Sequence, residues 1–224
     1  MQPVNEARII DSWQRNVVPW VTAVRQERIE SRALVTNQAI VDAVVSRSPR
    51  SVLDIGCGEG WLVRELMTRG FRVMGVDAVP ALIEQARAGG GDFRVASYEA
   101  IAGGVLKVVA DMLVCNFSLL GEHSVDQLVR AAPSLLRAGG TLVVQTLHPL
   151  MACGGQPYRD GWREGSWDGF EGSFSDPAPW YFRTLESWLG LFRSSGLQLC
   201  ELREPLHPVS GKPASVIFIA QLAR

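Results

Sequence analysis

Histidine is scarce in this chain, with three residues at 123, 148 and 207 among 224. They are too few and too scattered for a zinc site, and no metal is expected. The four cysteines, Cys57, Cys115, Cys153 and Cys200, form no C-x-x-C pair and stand far apart. That argues against a redox pair or a disulfide framework, and a reducing, cytoplasmic setting is the expectation. No apolar run is long enough to span a bilayer, and the first residues lack the pattern of a secretory leader. Charge of one sign is also missing: the net charge is −1 and the pI about 6.3. No nucleic-acid or membrane partner is therefore expected. Glycine is absent before residue 56, although the whole chain holds 22.

The stretch that ends this glycine-free segment organises the rest of the chain. Val52-Leu53-Asp54-Ile55 is a short apolar run of the kind a buried strand needs. It breaks into Gly56, Gly58 and Gly60 on alternate positions, and a helical pattern with Leu62 and Leu66 on one face comes next. Strand, glycine turn and helix let a backbone approach a ligand closely and present unpaired N–H groups to it. A second apolar strand, Phe71–Val76, ends in Asp77, where a carboxylate can accept hydrogen bonds from both ribose hydroxyls. The dinucleotide fingerprint G-x-G-x-x-G needs its third glycine where this chain has Trp61. That disfavours a nucleotide-dependent oxidoreductase, which stays an alternative.

The order Asp54-x-Gly56-x-Gly58-x-Gly60 after two apolar residues resembles motif I of the class I S-adenosylmethionine-dependent methyltransferases. Gly75-Val-Asp77 and Leu136-Arg-Ala-Gly-Gly-Thr-Leu142 match further motifs of that superfamily, with Ala138 in place of its usual proline. The resemblance runs from Ser51 to the C-terminus. It implies a Rossmann-like, doubly wound α/β sheet of about seven strands, mostly parallel with the last strand antiparallel, and helices on both faces. It also implies S-adenosylmethionine as cofactor and Asp54, Gly56, Cys57, Gly58, Gly60, Asp77, Ala78, Ser97, Tyr98 and Asn116 as its contacts. Ser97 stands where many members carry an aspartate for the adenine amino group. Asn116-Phe-Ser-Leu lacks the two prolines of the tetrad found in enzymes that methylate exocyclic amines of DNA bases or glutamine. A non-catalytic, methyltransferase-like binding protein is the other alternative.

The chain divides accordingly. Residues 1–48 read as helices carrying Trp13, Val17, Trp20, Val21 and Val24, then Leu34, Val41, Val44 and Val45, with Pro19 as a kink or a new start. They are expected to cap the cofactor mouth, and Arg32 is placed either to reach the cofactor's carboxylate or in solvent. Residues 51–148 form the cofactor-binding core, with strands near 51–55, 72–76, 92–96, 110–115 and 141–147. Helices are expected to start near Glu59, Pro80 and Ser124, the last running over 124–137 to a stop at Gly139-Gly140.

Residues 149–183 hold eight of the 18 aromatics and are expected to form an insertion over the sheet's carboxyl edge. Residues 184–224 complete the chain as a helix, 184–195, and two strands, 197–203 and 214–222. One domain, 1–224, is the expected organisation. Methyl transfer to a small-molecule acceptor needs no nucleophilic side chain, and His148 is the expected general base. Tyr158, Trp162 and Tyr181 are the expected acceptor contacts. Acids outnumber bases in the insertion (Asp160, Glu164, Asp168, Glu171 and Asp176 against Arg159, Arg163 and Arg183), which tilts the acceptor towards neutral or cationic.

Overall fold

The computed structural model describes residues 2–223, the side chains of residues 2–4 excepted. Its seven-stranded sheet arises from apolar runs whose alternate residues bury into opposite layers. The strands are β1 (Ser51–Ile55), β2 (Arg72–Asp77), β3 (Asp92–Val95), β4 (Ala110–Asn116), β5 (Leu136–Thr146), β8 (Leu197–Arg203) and β9 (Val216–Leu222). On one face Val52, Met112, Val114, Val143, Ile217 and Ile219 pack with α3 (Asn37–Val45), α4 (Trp61–Thr68) and α5 (Pro80–Ala88). On the other, Leu53, Leu113, Cys115, Val144 and Phe218 pack with α6 (Tyr98–Ala102), α7 (His123–Leu135) and α9 (Leu185–Ser194). Period-two strands with both faces apolar must be covered twice, and each fully buried Val, Leu or Ile contributes roughly 1.5–3 kcal/mol.

Strand order is β3-β2-β1-β4-β5-β9-β8, with β9 antiparallel to both neighbours and the other pairs parallel. The expected doubly wound sheet with an antiparallel last strand is what the chain forms. Its order reverses between β1 and β4, so the cleft at their carboxyl ends is where a ligand has room. Among the described residues no helix is long and apolar enough to cross a membrane.

Several boundaries differ from the sequence reading. The helix expected over 124–137 stops at Leu135, because Leu136 is already extended and pairs with Ala110. Pro133 withholds an N–H from that last turn, and the turn at Gly139 lies inside the strand pairing instead. Before residue 50 there are α1 (Gln2–Arg15), α2 (Val17–Arg25), a π-helical turn (Arg32–Thr36) and α3. Pro19 lies in the first turn of α2, where its missing N–H costs nothing. The π turn adds a residue per turn and shifts the helical phase, which leaves Leu34 exposed while Ile40, Val41 and Val44 are buried. Val45 is also exposed. The insertion contains α8 (Pro149–Ala152) and a small antiparallel pair, β6 (Gly161–Arg163) and β7 (Trp180–Phe182).

Gly60 precedes α4 at φ +85°, and a Cβ there would lie 2.6 Å from Phe93 Cζ. It packs inward, away from the cleft at the carboxyl ends of the strands. Gly60→Ala therefore combines left-handed strain with a core clash, and chemical denaturation is expected to show a loss of about 2–4 kcal/mol.

Candidate cofactor and acceptor site

A cavity of about 870 Å³ opens over the carboxyl ends of β1, β2 and β4. The glycine loop forms its floor. Gly56 and Cys57 donate their N–H groups to the Val76 carbonyl (2.7 and 3.0 Å), which fastens the loop to the end of β2. Asp77 then grips the same region from the side: Oδ2 accepts from Gly58 N and Oδ1 from Val79 N, both at 2.9 Å. Burial raises the Asp77 pKa, and the N–H groups of Val79, Gly58 and Ala78 oppose that rise. Gly58 has φ +57°, and a Cβ on it would project into open space, meeting only Trp20 Nε1 at 3.6 Å.

Glu59, in the middle of the loop, is 1% exposed and would be costly unpaired. Arg64 of α4 meets both its oxygens (2.8 and 2.7 Å), and Arg25 of α2 donates Nε at 3.0 Å. Arg32 lies nearby, its guanidinium 5.4 Å from the Trp20 ring centre and 5.0 Å from that of Trp61. Its Nε donates to Asn37 Oδ1 at 3.2 Å, while Nη2 is buried with no partner. Burial lowers its pKa to about 10, against a smaller opposing pull from Glu59. A cation held between two indole faces with an unused N–H is a ready clamp for a carboxylate.

The cavity brings together most of the residues expected from the sequence: Gly56, Cys57, Gly58, Asp77, Ala78, Ser97, Tyr98, Asn116 and Tyr181 all line it. Ser97 caps α6, its Oγ accepting from Ala100 N at 3.2 Å. The Tyr98 hydroxyl donates to the Ser118 carbonyl at 2.8 Å, and burial pushes its pKa up. Cys57 adds backbone to the floor while its thiol, raised by burial, joins the core.

Five expected residues do not line it: Asp54, Gly60, His148, Tyr158 and Trp162. Gly60 packs against Phe93. Asp54 sits 2% exposed behind the loop, with Oδ1 unpartnered. His148, the expected base, is 2% exposed, and its Nε2 meets Glu204 Oε1 at 2.7 Å away from the cavity. The Tyr158 hydroxyl accepts from Leu185 N at 2.9 Å, at the start of α9. Trp162 lies edge-on to Tyr181 (5.6 Å between centres) and donates Nε1 to Glu122 Oε2 at 3.2 Å. Nor do the five acids of the insertion reach the cavity. Asp160 bonds Thr184 N and Ser187, while Glu164 and Asp176 pair with Arg8 and Arg15. The charge tilt drawn from them therefore does not bear on the acceptor.

The cover comes from α1, α2 and the insertion. Trp13 packs edge-on to Trp20 (4.9 Å) and Trp167 (5.7 Å), and Trp167 in turn meets Phe170 and Phe174. Asn16 is fully buried and exchanges two hydrogen bonds with the Ser175 backbone (2.7 and 2.9 Å). Ser12 Oγ donates to the Asp176 carbonyl at 2.6 Å. At the other end of α1, Glu6 Oε1 accepts from the N–H groups of Glu122, His123 and Ser124 and so caps α7. Sequence reasoning missed Glu6, Glu59, Trp167, Phe170 and Trp180 as lining residues. Only the density of aromatics between 158 and 182 signalled the last three.

A nucleoside cradle on an α/β sheet, under an aromatic cover that leaves room for a second molecule, is the outline of a group-transfer enzyme. The chain belongs to the methyltransferase domain family, whose model matches residues 28–202. That bears out the sequence resemblance and sets the oxidoreductase alternative aside. The ubiquinone biosynthesis O-methyltransferase of Xylella fastidiosa (strain M23) is 35% identical over 116 residues, 48% of this chain and 46% of that protein. The same enzyme of Xanthomonas campestris pv. campestris (strain B100) is 36% identical over 116 residues, 48% and 47% of the two chains. The match thus spans about half the length of these curated relatives. Among solved structures, 1,6-didemethyltoxoflavin-N1-methyltransferase of Burkholderia thailandensis has TM-score 0.68 at 16% identity, covering 100% of this chain and 91% of that one. A methyltransferase of Mesorhizobium loti has TM-score 0.60 at 20% identity, covering 80% and 95%. These two share the fold.

The site's geometry has two measurable consequences. Burial, reinforced by Asp77, raises Asp54 from its ordinary 3.8 to about 7. Between those values the folded chain holds a proton that the unfolded chain has released, so stability falls as pH rises through that window. Between pH 5 and pH 8 the wild type is expected to lose about 2–3 kcal/mol more than Asp54→Asn in urea denaturation. Equal losses would mean that Asp54 is ionised throughout. Asn16→Ala leaves the Ser175 N–H without a partner and its carbonyl with Trp167 Nε1 alone. It is expected to cost about 1–3 kcal/mol and to speed amide exchange around residue 175.

Proposed function

We propose that this chain transfers the methyl group of S-adenosylmethionine to a small-molecule acceptor held beneath the aromatic cover. The observation that carries the reading is the unpartnered Arg32 Nη2 above a glycine loop whose middle glycine leaves open space. In this arrangement Asp77 takes the ribose hydroxyls, exchanging its contact with Gly58 N for the ligand. The loop passes beneath the sugar, and Arg32 takes the methionyl carboxylate. Ala78, Ser97 and Tyr98 border the base, with the Ser97 hydroxyl already engaged as a cap. When bound, the cofactor supplies a methyl on cationic sulfur, so transfer forms one bond from acceptor to carbon and breaks the carbon–sulfur bond, its electron pair staying on sulfur. The protein aligns the two molecules and excludes water.

The acceptor side supports a small, planar molecule. Trp13, Trp20, Trp167, Phe170, Trp180 and Tyr181 face the cavity, and aromatic walls hold flat ligands by stacking. The Xylella and Burkholderia enzymes are named for small-molecule acceptors, which favours the same class here. His148 takes no part in this reading, since its ring is turned to Glu204.

The test is calorimetric titration with S-adenosylhomocysteine, the demethylated product. Asp77→Ala is expected to weaken binding by about 1.5–3 kcal/mol, as for a lost hydrogen bond to a charged group. Undiminished affinity in that variant overturns the assignment of Asp77.

A further inference from the structure

We propose that Asn116 offers the acceptor an N–H donor, and that the acceptor is therefore a planar molecule methylated on, or directly beside, an enolate or phenolate oxygen. Gln145 is the residue that fixes this polarity. The inference rests on the proposed methyl transfer and narrows its acceptor class.

The polarity comes from a chain of hydrogen bonds with one fixed end. Gln145 is 1% exposed, one residue before the carboxyl end of β5. One of its amide atoms lies 3.0 Å from the backbone carbonyl of Thr36. A carbonyl can only accept, so that atom is Nε2 and the other is Oε1, which takes the Ser215 hydroxyl at 3.1 Å. The same Nε2 lies 2.7 Å from the side chain of Asn116, its register partner on β4. Having spent one proton on Thr36, it donates the other here, so the Asn116 atom is the acceptor Oδ1. Asn116 Nδ2 is left with no protein partner among the described residues, on a side chain that lines the cavity.

Its location suits the acceptor better than the cofactor contact expected from the sequence. Asp77, on β2, marks the ribose side, and the glycine loop follows β1. Asn116 ends β4, across β1 from Asp77. With the base beside Ala78, Ser97 and Tyr98 and the ribose at Asp77, as in the proposed arrangement, a cofactor that continues in the same direction over β1 brings its sulfonium end towards β4. The next residue, Phe117, holds a left-handed backbone (φ 53°) rare for an aromatic residue, and its N–H is tied to the Gln145 carbonyl at 2.8 Å. Gln145 thus holds both the backbone and the amide at this corner. A donor aimed at the reacting atom stabilises an oxyanion and opposes an N–H. An acceptor that arrives as an anion has already given its proton to water, so the enclosed site needs no histidine.

Calorimetry on the protein saturated with S-adenosylhomocysteine tests this with two probes of one skeleton. They are 2-hydroxy-1,4-naphthoquinone, an enolate at neutral pH, and 2-amino-1,4-naphthoquinone, which presents N–H groups instead. Wild type is expected to bind the enolate at least about tenfold more tightly. Asn116→Asp keeps the bond from Gln145 and replaces the donor with an acceptor, so the order of the two probes should reverse. Gln145→Met frees the amide to turn and should bring the ratio close to one. The proposal is overturned if wild type prefers the amine, binds both equally or binds neither, or if Asn116→Asp leaves the ratio unchanged. Loss of S-adenosylhomocysteine binding by the wild type is a separate result: it overturns the proposed function, and this inference with it.

Discussion

Glu59 is the contact on which the site depends. A carboxylate buried to 1% exposure inside a glycine loop is tolerable only with its charge matched. Arg64 matches it from the helix that follows the loop, and Arg25 from a helix of the cover. One buried charge therefore joins three parts that must be in register: the floor of the cavity, the first helix of the core, and the roof. Arg32 and Asp77 stand on either side of that junction, one a cation with an unused N–H, the other an acid already turned towards the loop.

Asp54 and Asp77, on neighbouring strands, have different tasks. Asp77 has backbone donors on both oxygens and faces the cavity. Asp54 lies behind the loop with an unpartnered oxygen, where burial favours its neutral form. Motif resemblance alone treats both as ligand contacts. The structure separates them by what each oxygen can reach.

The sheet was legible in the sequence because each strand carries its signal within a few residues, and the glycine loop because its spacing is local. What could not be read depends on partners far along the chain. Gln145 looks like a stray polar residue in an apolar strand until Thr36, 109 positions earlier, appears beside it. The π turn left no periodic trace, and it turned Leu34 outward where the sequence pattern had it inside. In the insertion, eight aromatics without a period announced a cover but not its inner face. Tyr181 reaches the cavity, while Trp162 stands behind it and Tyr158 caps α9. His148 had the right chemistry and the right strand, but its ring turned to Glu204.

The way the cover is fastened has an evolutionary consequence. Ser12 and Asn16 hold residues 175 and 176 through main-chain atoms, Trp167 donates to the Ser175 carbonyl, and Tyr181 N donates to the Leu120 carbonyl. Main-chain partners survive when side chains change. Substitutions at Phe170, Trp180 or Tyr181 can thus reshape the inner wall without untying these bonds. The floor of the cavity, by contrast, is held by side chains such as Glu59, Arg64 and Asp77, whose removal leaves buried charges or N–H groups without partners. A lineage built this way can vary the wall of the cavity while its floor stays constant.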